Sequence, residues 1–102
     1  MAKISIHLIK DNNKRWIERL IRCHFGSEAR AVHGKLLYPS DQEGFIAESE
    51  GMRVGLASLE IQDYYYEITT LDALGGCEEI YKELIEAVKL LAIRRGYEIP
   101  CN

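Results

Sequence analysis

The chain has 102 residues, an apolar fraction of 47% and a formal charge of −3. This length predicts one domain over residues 1–102, and the apolar fraction excludes a disordered chain. The acidic balance provides no basic field that would favour nucleic acid as a partner. No apolar run approaches the roughly 20 residues that span a bilayer, and the N-terminus lacks the apolar core of a signal peptide. The sequence therefore predicts a cytoplasmic protein without membrane association.

The first third of the chain reads as a strand followed by a helix. Residues Lys3 to Ile9 alternate, with Ile4, Ile6 and Leu8 on one face, which predicts a strand with one buried side. A helix is expected from Lys14 to Phe25, closed by Gly26. Its expected buried face consists of Trp16, Ile17, Leu20, Ile21 and Phe25. Its basic residues Lys14, Arg15, Arg19 and Arg22 form either a solvated face or a surface for an anion or a partner.

The middle of the chain predicts strands. Short strand segments at residues 31–38 are interrupted at Gly34, where a bulge is expected. A hairpin follows, with strands at residues 44–49 and 52–61 and a turn at Glu50-Gly51. A second turn returns the chain into the aromatic and β-branched stretch Tyr64 to Leu71, which completes a three-strand meander.

A helix with a broad apolar face is expected from Cys77 to Arg95, with Gly96 as its left-handed cap. Residues 97–99 are candidates for one further strand. The order β-α-β-β-β-β-α-(β) predicts an α/β (α+β) fold, in which a mixed, mostly antiparallel sheet is flanked by helices.

The glycine pair Gly75-Gly76 between strand and helix has two readings. Helix N-termini that follow glycine turns bind phosphate, because exposed N–H groups and the helix dipole point at the ligand. Glu78 and Glu79 in the first turn repel an anion, so the pair is otherwise a plain connector. Cys77 likewise lies at a helix start, which lowers a thiol pKa, but the same two acids favour a structural cysteine.

The three cysteines, Cys23, Cys77 and Cys101, are odd in number and widely spaced. The sequence has no C-x-x-C pair, so it indicates neither a disulfide framework nor a structural zinc site. No metal site is predicted.

Element order and local residues together resemble the GNAT superfamily of acetyl-CoA-dependent N-acetyltransferases. The segment from Gly44 to Leu56 is similar to the central hairpin of that family, and Glu67 to Leu74 is similar to its fourth strand. The residues Leu84-Ile85-Glu86-Ala87, followed by Arg95-Gly96, resemble the helix after the pyrophosphate loop. The resemblance covers nearly the whole chain.

The resemblance implies a cofactor site and a general base. Glu67 would accept the proton of the incoming amine, although a solvated glutamate at a sheet edge is the alternative for this residue. The thioester and pantetheine would lie along the fourth strand, and the diphosphate would lie against the helix start. The implied acetyl-CoA residues are Ile68, Thr69, Thr70, Leu71, Asp72, Ala73, Gly75, Gly76, Cys77 and Lys82.

Two departures from the family pattern affect what the resemblance implies. Cys77, Glu79 and Tyr81 occupy positions where the pyrophosphate loop has glycines, so that loop is degenerate. The chain also ends where the fifth strand of the family would begin, without the tyrosine that protonates the leaving thiolate. We expect a short, truncated member whose unpaired sheet edge is closed by a homodimer or by another chain.

Three functions follow from this sequence. The first is acetyl transfer from acetyl-CoA to a small-molecule or protein amine, with weak or lost activity as the expectation from both departures. The second is a non-catalytic module that binds acyl-CoA. The third is an interaction module that completes its sheet with a partner chain. Binding without turnover would indicate the second, and no binding would indicate the third.

Overall fold

The computed structural model describes residues 3–62 and 65–96. Strand β1 (Ile4–Leu8) leads into helix α1 (Lys14–Phe25), which is followed by the short strands β2 (Arg30–Val32) and β3 (Lys35–Leu37). The chain then forms the long strands β4 (Glu43–Ser49), β5 (Met52–Gln62) and β6 (Tyr65–Ala73), and helix α2 (Glu78–Arg95) follows them. The α+β fold predicted from the sequence is therefore confirmed.

Strands β1, β4, β5 and β6 form one antiparallel sheet in the order β1-β4-β5-β6. The predicted β4–β5 hairpin is present, and Glu50 and Gly51 at its turn have φ angles of 52° and 78°. Positive φ at both turn positions matches the right-handed twist of the two strands. Of the second predicted turn, Gln62-Asp63, the first residue belongs to β5, where it pairs with Tyr65. Asp63 and the strand expected at residues 97–99 lie outside the described residues.

Two apolar clusters hold the helices to opposite faces of this sheet. On one face α1 buries Ile17 and Ile21 against Ile46 and Leu56. On the other face α2 covers a larger cluster, whose buried members are Phe45, Ala47, Ala57, Leu59, Tyr66, Ala73, Ile80, Leu84, Val88 and Ala92. The helix spacing in the sequence predicted both buried stripes, because side chains three and four residues apart share one helix face.

Residues 31–38 differ from the prediction. They form a separate two-stranded antiparallel sheet, in which Arg30 pairs with Leu37 and Val32 pairs with Lys35. His33 and Gly34 make its two-residue turn, with φ angles of 51° and 76°. Gly34 therefore serves a hairpin turn and not a bulge. The β2–β3 hairpin lies beside β6, where it contributes to the candidate site.

Two expected core residues are also corrected. Phe25 and Leu8 were assigned to buried faces, but each side chain is about half exposed. Phe25 is the last residue of α1, beyond the part of that helix that packs on the sheet. Leu8 is the last residue of β1, which within residues 3–62 and 65–96 pairs with a strand on one side, that of β4.

Candidate functional site

Strand β6 carries most of the predicted site, and a bulge divides it. Ser58 pairs with Thr70 and Leu59 pairs with Ile68, so Thr69 is an extra residue on β6. A bulge of this kind bends its strand and redirects the side chains that follow. Among the predicted cofactor residues, Ile68, Leu71 and Ala73 pack into the cluster beneath α2. The Ala73 side chain is buried there, and those of Ile68 and Leu71 are partly buried.

Glu67 lies on the sheet face that points away from α2, and it pairs with Glu60 on the neighbouring strand β5. Its carboxylate Oε2 is 2.5 Å from His33 Nε2 of the β2–β3 hairpin, and the side chain is 28% exposed. Glu67 is thus a partly exposed carboxylate with an imidazole partner. Glu60 has its own cation, because Lys35 Nζ lies 3.5 Å from Glu60 Oε1.

A chain of polar side chains runs from the bulge to Glu60. The Ser58 and Thr69 hydroxyls are 3.1 Å apart, and the Thr69 hydroxyl donates to Gln42 Oε1 at 3.0 Å. Gln42 Nε2 donates in turn to Glu60 Oε2 at 3.0 Å. Because Thr69 has one proton to give, Ser58 acts as the donor to Thr69 in this arrangement. The chain fixes the extra residue of the bulge and ends on a carboxylate.

Arg30 connects the hairpin to the same bulge. Its guanidinium lies 4.2 Å from the ring centroid of Phe25, a cation–π contact that explains why Phe25 stays at the surface. Nη1 of Arg30 donates to the Thr69 carbonyl oxygen at 2.5 Å and to Thr70 Oγ1 at 3.1 Å. A backbone acceptor of the predicted pantetheine strand is therefore already bonded within the chain.

A cavity of about 110 Å³ lies between α1 and the end of β6. Asp72, Ala73 and Gly75 of the predicted site line it. The other lining residues are Trp16, Leu20, His24, Arg53, Val54, Gly55 and Leu74. His24 Nε2 is 3.6 Å from Asp72 Oδ2, so the cavity has a polar rim on an otherwise largely apolar wall.

The glycine pair forms a short 3₁₀ turn, Leu74–Gly76, with φ angles of 66° at Gly75 and 68° at Gly76. A Cβ atom on either glycine would meet no other atom within 4 Å, so these glycines are required by the backbone and not by packing. The space above the turn is open to a ligand.

Helix α2 begins directly after this turn. Cys77 precedes its first residue, no side chain caps the helix start, and the Cys77 side chain packs against the core cluster. Glu78 and Glu79 are exposed in the first turn, and Lys82 is exposed in the second. The turn is thus accessible, but the charge beside it is mainly negative.

The structure brings Glu67, Thr69, Thr70 and the backbone of β6 into one region, while Lys82 lies on the exposed side of α2. It also adds residues that the sequence analysis missed: Arg30, His33, Lys35, Gln42, Ser58 and Glu60. Glu60 was within reach of prediction, since two strands paired about one turn place it opposite Glu67. Arg30 and His33 act across more than 30 residues, and no local pattern indicates such contacts.

A membrane-spanning segment and a metal site are the two other features considered for the described residues. No helix among residues 3–62 and 65–96 has the length and apolarity that a membrane crossing requires. Within the same ranges, no group of three or more histidine, cysteine, aspartate or glutamate side chains is arranged to hold a metal ion.

Comparison with known proteins gives a structural match. No protein-family model and no curated protein matches the sequence. Two solved structures do match, both of the aminoglycoside acetyltransferase meta-AAC0020 from an uncultured soil metagenomic sample. The complex of that enzyme with sisomicin gives a TM-score of 0.62, and its complex with trehalose gives 0.61. In both comparisons the identity is 21%, and the match covers 97% of this chain and 78% of the other. The chain therefore shares the fold of an acetyltransferase.

Proposed function

We propose that this protein is an N-acetyltransferase-type protein that transfers acetyl from acetyl-CoA to a small-molecule or protein amine. The observation that carries the proposal is the position of Glu67 in this fold. Its partly shielded carboxylate lies on the strand that leads through a bulge and an open glycine turn into α2. An acetyltransferase shares this fold at 21% identity, so the activity itself rests on the site and on the experiment below.

Several residues fit the cofactor. The open space above Gly75 and Gly76 and the uncapped start of α2 suit a diphosphate, since both leave backbone N–H groups accessible. Backbone from Ile68 to Ala73 would hold the pantetheine arm in the manner of an added strand. Cys77 contributes through its backbone, and Lys82 adds one positive charge near Glu78 and Glu79. Acetyl-CoA, when bound, supplies the activated thioester.

The chain's own residues would then handle the proton of the acceptor. A protonated amine cannot attack a carbonyl, so a base must take its proton, and Glu67 is the carboxylate positioned for it. His33, at 2.5 Å from Oε2, would hold one oxygen of that carboxylate in place. Glu60 lies next to Glu67 on the same sheet face but is already bonded to Gln42 and Lys35, so it is less free to act as a base.

Two structural features oppose tight binding. Arg30 holds the Thr69 carbonyl at 2.5 Å, so a pantetheine amide that pairs at Thr69 must displace it. The acids of the first α2 turn raise the free energy of an anion there. Weak or lost activity therefore remains part of the proposal.

The first test is a calorimetric titration with acetyl-CoA, followed by an assay of free thiol release with a panel of amines. We expect one-to-one binding and an activity that Glu67→Gln lowers by about 10²-fold or more while leaving cofactor affinity intact. Glu83→Gln, an exposed glutamate on α2, is the matched control and should leave the rate unchanged. Absence of heat up to millimolar cofactor would exclude this function for the chain.

A second candidate is a non-catalytic module that binds acyl-CoA, or that completes its sheet with a partner chain. Strand β6 favours the module that completes its sheet, because among the described residues β6 pairs with a single strand, β5. Binding of acetyl-CoA without thiol release in any amine panel would select the acyl-CoA module. A partner at the β6 edge remains a prediction, tested by slowed amide exchange along β6.

A further inference from the structure

Among the described residues, strand β1 forms the edge of the sheet opposite β6, since it pairs with β4 alone. Its contact with β4 sets which of its backbone groups are already bonded. The Ile9 N–H donates to the Gly44 carbonyl at 2.9 Å, which continues the register in which Leu8 lies across from Phe45. Bonded and non-bonded pairs alternate along antiparallel strands. The pairs of Ser5 and His7 with β4 are therefore bonded. The N–H and C=O groups of the remaining β1 residues Ile4, Ile6 and Leu8 point outward from the sheet.

The same three residues also place apolar side chains on the α2 face of the sheet. Beside them runs a groove of about 230 Å³, lined by Ile6, Leu8, Phe45, Ala87, Leu90, Leu91 and Arg94. Leu8 is 49% exposed, Leu90 is 55% exposed and the neighbouring Ile93 is 72% exposed. An open strand edge next to exposed aliphatic side chains is the arrangement that pairs with another strand.

We infer that a second copy of this chain pairs with β1 in antiparallel fashion about a two-fold axis at Ile6. In that register Ile6 lies across from Ile6 of the second copy, and Ile4 lies across from Leu8 of the second copy. All three residues have outward backbone groups, so each pair exchanges two hydrogen bonds. Their side chains then meet on the same apolar face. The two four-stranded sheets become one continuous sheet of eight strands.

Charge on α2 is complementary in the same arrangement. A two-fold axis perpendicular to the sheet brings the two α2 helices together antiparallel on one face. Leu90 lines the groove with Ile6, so it lies near the axis. Glu86 and Arg94 each stand four residues from Leu90 on the same side of the helix. The axis therefore sets Glu86 of one copy beside Arg94 of the second copy, twice.

The other face of β1 carries Ser5 and His7. His7 Nε2 is 3.0 Å from Glu48 Oε1 within its own chain, and Ser5 would lie across from His7 of the second copy. The β6 edge is less suited to this pairing, because Arg30 from the β2–β3 hairpin occupies the Thr69 carbonyl there. A second copy at β1 is thus favoured by the outward backbone groups of β1, by the apolar groove beside them and by the charges of α2.

The test begins with mass by multi-angle light scattering at submillimolar concentration. We expect twice the chain mass of 11.7 kDa for the parent protein. Leu8→Lys should return the mass to one chain, because it places two cations on the apolar interface. Leu36→Lys is the matched control: Leu36 lies on β3 and is 64% exposed, so the dimer should persist. A parent protein that stays monomeric would overturn the inference.

Two further measurements identify the edge that pairs. Hydrogen exchange should be slow at the Ile4, Ile6 and Leu8 amides in the dimer and should accelerate when Leu8→Lys dissociates it. Glu86→Arg and Arg94→Glu should each weaken the dimer at least tenfold, and the double variant should restore it, because the charges are then exchanged. A dimer with fast exchange at Ile6, or slow exchange along β6 instead, would refute pairing at β1.

Discussion

The hydroxyl pair of Ser58 and Thr69 offers a direct test of how the β6 bulge is held. Ser58 is fully buried and Thr69 nearly so, and their oxygens are 3.1 Å apart. Ser58→Ala removes the donor to Thr69, and Thr69→Val removes the hydroxyl while keeping the branched shape. Thr69→Val leaves the buried Ser58 hydroxyl without this partner, which costs about 1–3 kcal/mol, whereas after Ser58→Ala the Thr69 hydroxyl keeps its bond to Gln42.

The double variant should lose much less than the sum of the two single variants. In the double variant no Ser58 hydroxyl is left without a partner, so the penalty that Thr69→Val incurs alone is absent. The Gln42 amide, which is only partly buried, bonds to water whenever Thr69→Val removes its partner. We therefore expect a coupling free energy of about 1 kcal/mol or more between the two positions.

Equilibrium urea unfolding of the parent, the two single variants and the double variant measures this coupling. For a chain of this size, each kcal/mol corresponds to a melting shift of about 4–8 °C, which gives a second readout. Free energies that simply add, with coupling below about 0.3 kcal/mol, would refute the hydroxyl chain as the element that fixes Thr69. Unequal slopes with urea would show that the comparison had left two-state behaviour.

Three further predictions concern other parts of the fold. Gly44→Ala should destabilise by about 3 kcal/mol in the same urea assay, because a Cβ there collides with the backbone oxygen of Ala57. Arg95→Gln should leave the urea midpoint unchanged from about pH 5 to pH 9. Glu43 at 3.1 Å raises the pKa of Arg95, so the contribution of this ion pair to stability is lost only at strongly alkaline pH. That contribution is small in any case, because both side chains are exposed. A pH-dependent midpoint difference in that range would contradict this. Arg30→Met should speed amide exchange in the β2–β3 hairpin without changing the global unfolding free energy, and unchanged hairpin exchange would argue against its anchoring role.

Local chemistry in the sequence determined the helices and the meander. The α1 bounds predicted from Lys14 to Phe25 are those observed, since apolar spacing sets the first turn and Gly26 ends the helix with a φ of 75°. The α2 face and its Gly96 cap follow from the same reasoning. These features depend on residues within a few positions of one another, where steric and capping preferences act directly.

The candidate site was predictable only in part. The Gly75-Gly76 turn stands out in the sequence because a glycine pair is a local signal, and Glu67 was indicated by the resemblance of its strand to the fourth strand of the GNAT superfamily. The bulge that makes Thr69 an extra residue does not, since it depends on how β6 aligns with β5. Which of the predicted residues face a ligand and which enter the core follows from that alignment.

Tertiary structure alone decided what surrounds these residues. The sequence determined a strand, a glycine turn and a helix. Only the folded chain places the β2–β3 hairpin beside β6, so that His33 contacts Glu67 and Arg30 holds the Thr69 carbonyl. It likewise decides that the outward backbone groups of β1 and the exposed face of α2 lie side by side. Contacts between residues more than 30 positions apart carry no sequence periodicity, because they are set by the packing of whole elements.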